Sequence, residues 1–241
     1  MPLILAIETS SEIASAALLS KISPDSTTSI LQRQTKGVTN HSQAILPMVQ
    51  ELLKEAGQSL ADCDAIAFGA GPGSFTGVRT ACGVVQGLAY GANLPVIPII
   101  TLMALAEAQR MATGACNVLA ALDARMSEVY WAQYRYDAAN ATWQTLMEPT
   151  LGAASTVAAV NQHQLVLTGN GFTAYRDQFT LSPELMARAV EAVPGADAIA
   201  SVALGELLAG RVVPADQAQP VYLRNKIALT SAERLALNTR N

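Results

Sequence analysis

The chain of 241 residues carries 15 basic and 19 acidic side chains, for a formal charge of −4 at pH 7, and it is 51% hydrophobic but only 5% aromatic, with about forty alanines. Charged residues make up 14% against a usual share of about 25%, which excludes a disordered chain and argues against a stand-alone nucleic-acid binder, since phosphate contacts need clustered Lys and Arg. The length suits one or two domains of about 100 to 200 residues, and so little charge is left for the surface that an apolar, partner-covered face is expected.

In chain order, the apolar runs 3–9 and 13–20, parted by Ser10, Ser11 and Glu12, read as a hairpin of buried strands, with 29–34 as a third strand. Over 40–56 the residues Ile45, Leu46, Val49, Leu52, Leu53 and Ala56 recur at helical spacing, with Thr39 or Asn40 as N-cap and Pro47 predicting a kink or a late start. Residues 65–68 form a buried strand ending in Gly69-Ala70-Gly71, and 76–90 form a second helix. The same order then returns: strand 117–122 ending in Asp123, the turn Ala124-Arg125-Met126, strands 128–136 and 142–149, a weak helix over 152–160, and strand 165–168 ending in Gly169-Asn170-Gly171 before a further helical region. Two hairpin-to-glycine series of this kind predict an α/β fold of two lobes from an ancient duplication. The boundary falls near 101–115, within a linking helix. Residues 1–105 form the first lobe and 106–219 the second, with 220–241 returning to the first.

No membrane segment is expected. The first eight residues lack a basic leader and include Glu8, and the apolar stretch 94–106 is broken by Pro95 and Pro98 and falls short of the roughly 20 residues a spanning helix needs. Cys63, Cys82 and Cys116 are odd in number and have no CxxC pair, which predicts a reduced, cytoplasmic chain with small buried thiols.

The densest motif is Gly69-Ala70-Gly71-Pro72-Gly73-Ser74-Phe75-Thr76-Gly77-Val78-Arg79. Glycines at a strand-to-helix junction allow a tight turn, and the helix start beyond is a natural anion site. The motif matches neither the GxGxxG fingerprint nor the Walker pattern, since no Lys follows Gly77. A structural loop, an anion or nucleotide contact and a partner contact all remain open. In the helix that follows, Gly83, Gly87 and Gly91 share one face. Helical glycine costs about 0.5 to 1 kcal/mol relative to alanine, so the stripe requires close approach, either by the chain's own sheet or by a helix of another chain.

His41 and His163 are the only histidines; Ile45 stands four residues after His41, no HExxH occurs, and no Ser/His/Asp triad can be placed. Asp123 and Arg125 suit a ligand contact or, more plainly, an internal ion pair. The tail carries Arg224, Lys226, Arg234 and Arg240 against Glu233, a local balance suited to RNA phosphates in a larger assembly or to a solvated terminus.

Together, Ile7-Glu8-Thr9-Ser10, His41-Ser42-Gln43 with Leu46-Pro47, GPGSFTGVR, Leu122-Asp123-Ala124-Arg125 with Glu128-Val129-Tyr130, Gly169-Asn170-Gly171 and Pro220-Val221-Tyr222-Leu223-Arg224 resemble the TsaB, or YeaZ, family over nearly the whole chain. The resemblance implies the two-lobed, duplicated fold of actin, sugar kinases and heat-shock ATPases (the ASKHA class). It also implies a role in placing threonylcarbamoyl on tRNA adenosine, as the non-catalytic partner of a TsaD-type paralogue, with a TsaE-type ATPase joining the complex and tRNA reached through it. The catalytic paralogue holds a metal through a His-x-x-x-His pair; here His41 resembles one ligand and Ile45 replaces the other, which implies no metal and a pseudoenzyme.

Glu8 and Ser10 stand where the wider class has Asp-x-Gly at its phosphate bend, a change that weakens an ATP-hydrolysis reading. The implied partner face comprises His41, Leu46, Val49, Leu53, Gly83, Val84, Gly87, Leu88 and Gly91, and without its partner the same face would support a homodimer. The implied nucleotide or anion contacts are Glu8, Thr9, Ser10, Gly71, Gly73, Ser74, Thr76, Arg79, Asp123 and Arg125. The chain is expected to need no cofactor of its own, with ATP or ADP belonging to the complex. The alternative is an ATPase or kinase of the same fold.

Overall fold

Period-two patterning shows why the N-terminal run folds as it does. In the computed structural model, which describes residues 2–21, 28–35 and 41–224, β1 (Leu3–Glu8) is buried along its whole length. Leu3, Leu5 and Ile7 point into one apolar core, while Ile4 and Ala6 point into a second on the opposite face. A strand covered on both faces reads as a continuous apolar run with no polar alternation.

β1 pairs antiparallel with β2 (Ser15–Ser20), which pairs with β3 (Ser29–Gln34). On its other side β1 runs parallel to β4 (Ala65–Gly71), and β4 runs parallel to β5 (Val96–Ile100), giving the order β3-β2-β1-β4-β5. The parallel crossover between β1 and β4 carries α1 (His41–Ala56), and the crossover between β4 and β5 carries α2 (Phe75–Ala92). Pro47 lies inside α1, so the helix does not start late; the N-cap expected at Thr39 or Asn40 falls outside the described residues. The α2 helix is capped by Ser74, whose Oγ accepts from Gly77 N at 3.3 Å, and it ends at Asn93 in the left-handed region with φ 54°.

The second sheet repeats the scheme. β6 (Asn117–Arg125), β7 (Glu128–Asp137) and β8 (Thr142–Ala153) form an antiparallel meander, β9 (Leu165–Thr168) runs parallel to β6, and the order is β8-β7-β6-β9. The first sheet's β3-β2-β1-β4 has the same connectivity. Each series closes on a Gly-x-Gly that opens a helix: α2 in the first, the short α4 (Gly171–Ala174) in the second. This is the duplicated, two-lobed α/β architecture of the actin, sugar-kinase and heat-shock ATPase class. The stretch 152–160, predicted as a weak helix, instead completes β8 and makes a single 3-10 turn over Ala154–Thr156.

Helix α3 (Thr101–Thr113) packs between the two sheets, with Ala104 in the first lobe's core and Leu102, Leu105 and Ala106 in the second's. After the short α5 (Pro183–Met186), helix α6 (Ala196–Leu208) lays Ala198, Ile199, Val202 and Ala203 into the core behind β1, β2 and β4. The return to the first sheet therefore begins at Ala196, ahead of the expected position 220. One buried acid ties these parts together. Glu107 of α3 accepts from Arg110 at 2.7 and 2.8 Å, from Trp143 Nε1 of β8 at 2.9 Å and from Ser201 Oγ of α6 at 2.5 Å. Buried carboxylates are tolerated when their lone pairs are filled in this way.

Candidate inter-lobe cleft and partner face

The two bends that follow β1 and β6 face a common cleft of about 600 Å³ between the lobes. On the first-lobe side the loop after β4 is tied to the bend after β1 by Ser74 N donating to Ser10 O at 2.8 Å, and the Gly71–Pro72 peptide is cis. Close contact explains the glycines here: a Cβ on Gly73 would meet Ser10 Cβ at 2.7 Å, and one on Gly77 would meet Thr9 O at 2.0 Å. On the second-lobe side Asp123 N donates to Asn170 Oδ1 at 3.0 Å, and Asp123 Oδ1 accepts from Arg125 N at 2.7 Å and from Tyr175 Oη at 2.8 Å. Asp123 Oδ2 pairs with Arg125 Nη1 at 3.1 Å, the internal ion pair that the sequence suggests.

Of the predicted nucleotide or anion contacts, the structure brings Ser10, Gly73, Ser74, Asp123 and Arg125 together around the cleft. The other five lie elsewhere. Glu8 and Thr9 are fully buried, Thr9 Oγ1 donating to Gly77 O at 2.7 Å. The Glu8 carboxyl is packed against Gly69, where a Cβ would collide with it, and its Oε1 accepts from Ser10 N. Burial pushes its pKa from 4.5 to about 7, with the hydrogen bonds from Ser10 and Thr9 acting the other way. Gly71 is buried with φ 105°, its N–H donating to Thr101 Oγ1 at 3.1 Å. Thr76 is exposed, its carbonyl accepting from Thr80. Arg79 stacks over the Phe75 ring at 3.4 Å and donates to Tyr222 Oη at 2.8 Å.

Sequence reasoning did not place Glu12, Met126, Glu191, Tyr222 or Arg224 on the cleft wall, although all five line it. Tyr222 and Arg224 belong to the PVYLR motif, which marks them as distinctive without saying where they sit.

The second region is the outer face of α1 and α2. A Cβ added to Gly83, Gly87 or Gly91 would meet nothing within 4 Å, so the stripe is not packed on the chain's own sheet. Val84 and Leu88 are half-buried beside it, Leu46 is 44% exposed, and Tyr90, which the periodicity did not single out, is 83% exposed. Leu53 is half-buried against the first core. Val49, predicted for the same face, is inside that core at 3% exposure and is unavailable to a partner. His41 is half-buried, with Nε2 3.4 Å from the Glu12 carbonyl, and Ile45 is fully buried in the core.

Cys63 and Cys82 are buried as expected, and burial pushes the Cys63 thiol up to about 11; Cys116 is exposed, contrary to expectation. Among the described residues no three His, Cys, Asp or Glu side chains cluster as metal ligands would, and no helix is long and apolar enough to cross a membrane. The basic tail residues Lys226, Arg234 and Arg240 fall outside the described residues.

A family model for TsaD, described as tRNA N6-adenosine threonylcarbamoyltransferase, matches residues 25–219. The tRNA threonylcarbamoyladenosine biosynthesis protein TsaB of Escherichia coli is 38% identical over 234 residues, covering 93% of this chain and 96% of that protein. Its Haemophilus influenzae counterpart is also 38% identical, over 93% of this chain and 94% of its own length. The solved structure of YeaZ from Pseudomonas aeruginosa superimposes with a TM-score of 0.83 at 37% identity, over 92% of this chain and all of that one. Matches of this extent in sequence and in structure show that the chain belongs to the TsaB (YeaZ) family of tRNA threonylcarbamoyladenosine biosynthesis proteins.

Proposed function

We propose that this chain is the non-catalytic partner of a TsaD-type threonylcarbamoyltransferase, docking through the outer face of α1 and α2, with a TsaE-type ATPase joining the complex and tRNA reached through that complex. The observation that carries the reading is the open glycine stripe of Gly83, Gly87 and Gly91. Three glycines inside one helix cost about 0.5 to 1 kcal/mol each relative to alanine, and among the described residues nothing approaches them closely enough to offset that cost. A second chain's helix does so if its backbone packs into the stripe, with Val84, Leu88, Leu46 and Tyr90 around it as the apolar centre. His41 lies at the rim of this face and Leu53 beneath it. Ile45, one turn after His41 on the same helix, is an apolar side chain fully buried in the core where the second ligand would stand, which supports the loss of the metal pair.

On this reading the chain needs no cofactor or metal of its own, ATP or ADP enters with the complex, the setting is cytoplasmic, and the isolated chain pairs with a second copy through the same face. The test is association with the paralogue from the same organism. Gly87→Leu should abolish binding while the isolated chain stays folded; unchanged affinity would overturn the interface.

The cleft gives the alternative, nucleotide turnover by the chain itself, one specific support: its volume lies in the range of small-molecule sites, and Ser10, Gly73, Ser74 and Asp123 converge on it. Magnesium-dependent turnover by the pure chain that disappears in Asp123→Ala would favour that alternative over the scaffold.

A further inference from the structure

The chain re-crosses the molecule after α6. At Ala218 it lies on the flank of α2, its carbonyl accepting from Gln86 Nε2 at 2.8 Å with Cys82 Sγ 3.4 Å away. Val221 N then donates to Ala70 O at the end of β4 at 2.7 Å. The ring of Tyr222 packs 6.0 Å from that of Phe75, and its hydroxyl holds Arg79. Two residues later the chain is bound to the other lobe. Arg224 Nη2 donates to Ala124 O at 3.0 Å and pairs with Glu128 Oε2 at 2.7 Å, while Nη1 lies 3.8 Å from Met126 Sδ. Residues 221–224 thereby wall one side of the cleft.

What Arg224 grips is the most unusual backbone in the described chain. Arg125, Met126 and Ser127, at the β6–β7 turn, have φ of 63°, 58° and 60°, a left-handed run in three successive residues with a side chain each. L-residues visit that region singly and at a cost, so such a run persists only where its surroundings hold it. The ladder is also irregular here, its register shifting between Asp123 and Arg125. Asp123 secures the entry to the turn through Arg125 N and Tyr175. The carbonyl of Ala124, the sulfur of Met126 and the carboxylate of Glu128 are gripped by Arg224, which comes from the first lobe's side of the cleft. One planar guanidinium can reach a carbonyl and a carboxylate together, which a lysine ammonium does less well.

We infer that residues 218–224 form an inter-lobe latch in which Arg224 positions the β6–β7 turn across the cleft, so that releasing Arg224 frees the turn and opens that side while both lobes stay folded. The lobes remain joined elsewhere, through α3 and the Glu107 contacts to Trp143 and Ser201, none of which lines the cleft. The latch makes access to the cleft depend on the same segment that braces α2. It does not rest on the partner reading, because the contacts lie within this chain.

The experiment is hydrogen–deuterium exchange on the full-length isolated chain. Arg224→Gln should raise exchange at residues 123–130 and 220–224 roughly tenfold, with the amides of β1, β4 and α6 unchanged. Arg224→Lys should restore part of the protection, whereas Arg211→Gln, which removes an exposed pair with Glu206 on α6, should leave the turn as it is. Glu128→Gln, a milder change on the other side of the contact, should raise exchange at the same turn, and it serves as the decisive variant if Arg224→Gln does not fold. Exchange at 123–130 equal to that of the unaltered chain in a folded variant, or an increase spread evenly over both lobes, would overturn the latch.

Discussion

Thr9 is packed directly against Gly77: the Thr9 hydroxyl donates to the Gly77 carbonyl at 2.7 Å, and a Cβ on residue 77 would lie 2.0 Å from the Thr9 carbonyl oxygen. This contact presses the first turn of α2 onto the bend after β1 and fixes the first-lobe side of the cleft. Gly77→Ala should therefore destabilise the chain by about 3 kcal/mol, because backbone on both sides must shift to admit one methyl group. Urea unfolding of the variant checks it; a loss below about 1 kcal/mol would mean that the helix start yields easily.

Among the described residues nothing comes within 4 Å of a Cβ on Gly87, so the opposite outcome is expected there. Gly87→Ala should raise the stability of the isolated chain by about 0.5 to 1 kcal/mol through helix propensity alone. The same change should weaken association with the TsaD-type paralogue by about tenfold if backbones meet at the stripe. Thermal unfolding and titration calorimetry read the two effects separately.

Glu8 supplies a pH dependence. Its folded pKa, about 7, lies above the unfolded value of 4.5, so between those limits the folded chain holds a proton that the unfolded chain has released. The contribution to stability is complete below pH 4.5 and is lost as pH rises to about 7, a total change on the order of 3 kcal/mol. Glu8→Gln cannot titrate and should show a flatter profile over that window. Parallel profiles for the two proteins in urea unfolding would show that Glu8 is ionised in the folded chain.

Glu107 is the point where α3, β8 and α6 meet. Glu107→Ala leaves Trp143 Nε1, Ser201 and the Arg110 guanidinium without their shared acceptor and should cost about 3 kcal/mol. The fluorescence of Trp143, freed from its hydrogen bond, should change in the native baseline as well as at the transition. Unchanged native fluorescence and stability would count against the hub.

Much of this architecture is legible in the sequence because burial on both faces leaves an unbroken apolar run, as at β1, and because glycines mark each close approach, as at Gly73 and Gly77. Helix α6 is harder to read. It is apolar on nearly every side because it packs between α3 and the first sheet, so it lacks the one-sided periodicity that announces a surface helix. Val49 and Leu46 are three positions apart on α1 and look equivalent by spacing, yet one enters the core and the other stays exposed. For Glu8, a place in a bend does not reveal which way the side chain turns; the space left by Gly69 draws it inward, away from the cleft. Tyr222 and Arg224 are marked by their motif, but their role depends on a chain path that crosses from one lobe to the other, and no local pattern encodes that path.

The most direct test of the central claim is reconstitution of tRNA threonylcarbamoylation with the TsaD-type paralogue and the TsaE-type ATPase from the same organism, with this chain, without it, and with its Gly87→Leu variant. The account predicts that modification requires the chain and fails with Gly87→Leu although that variant is folded. Equal modification in the absence of the chain would contradict it.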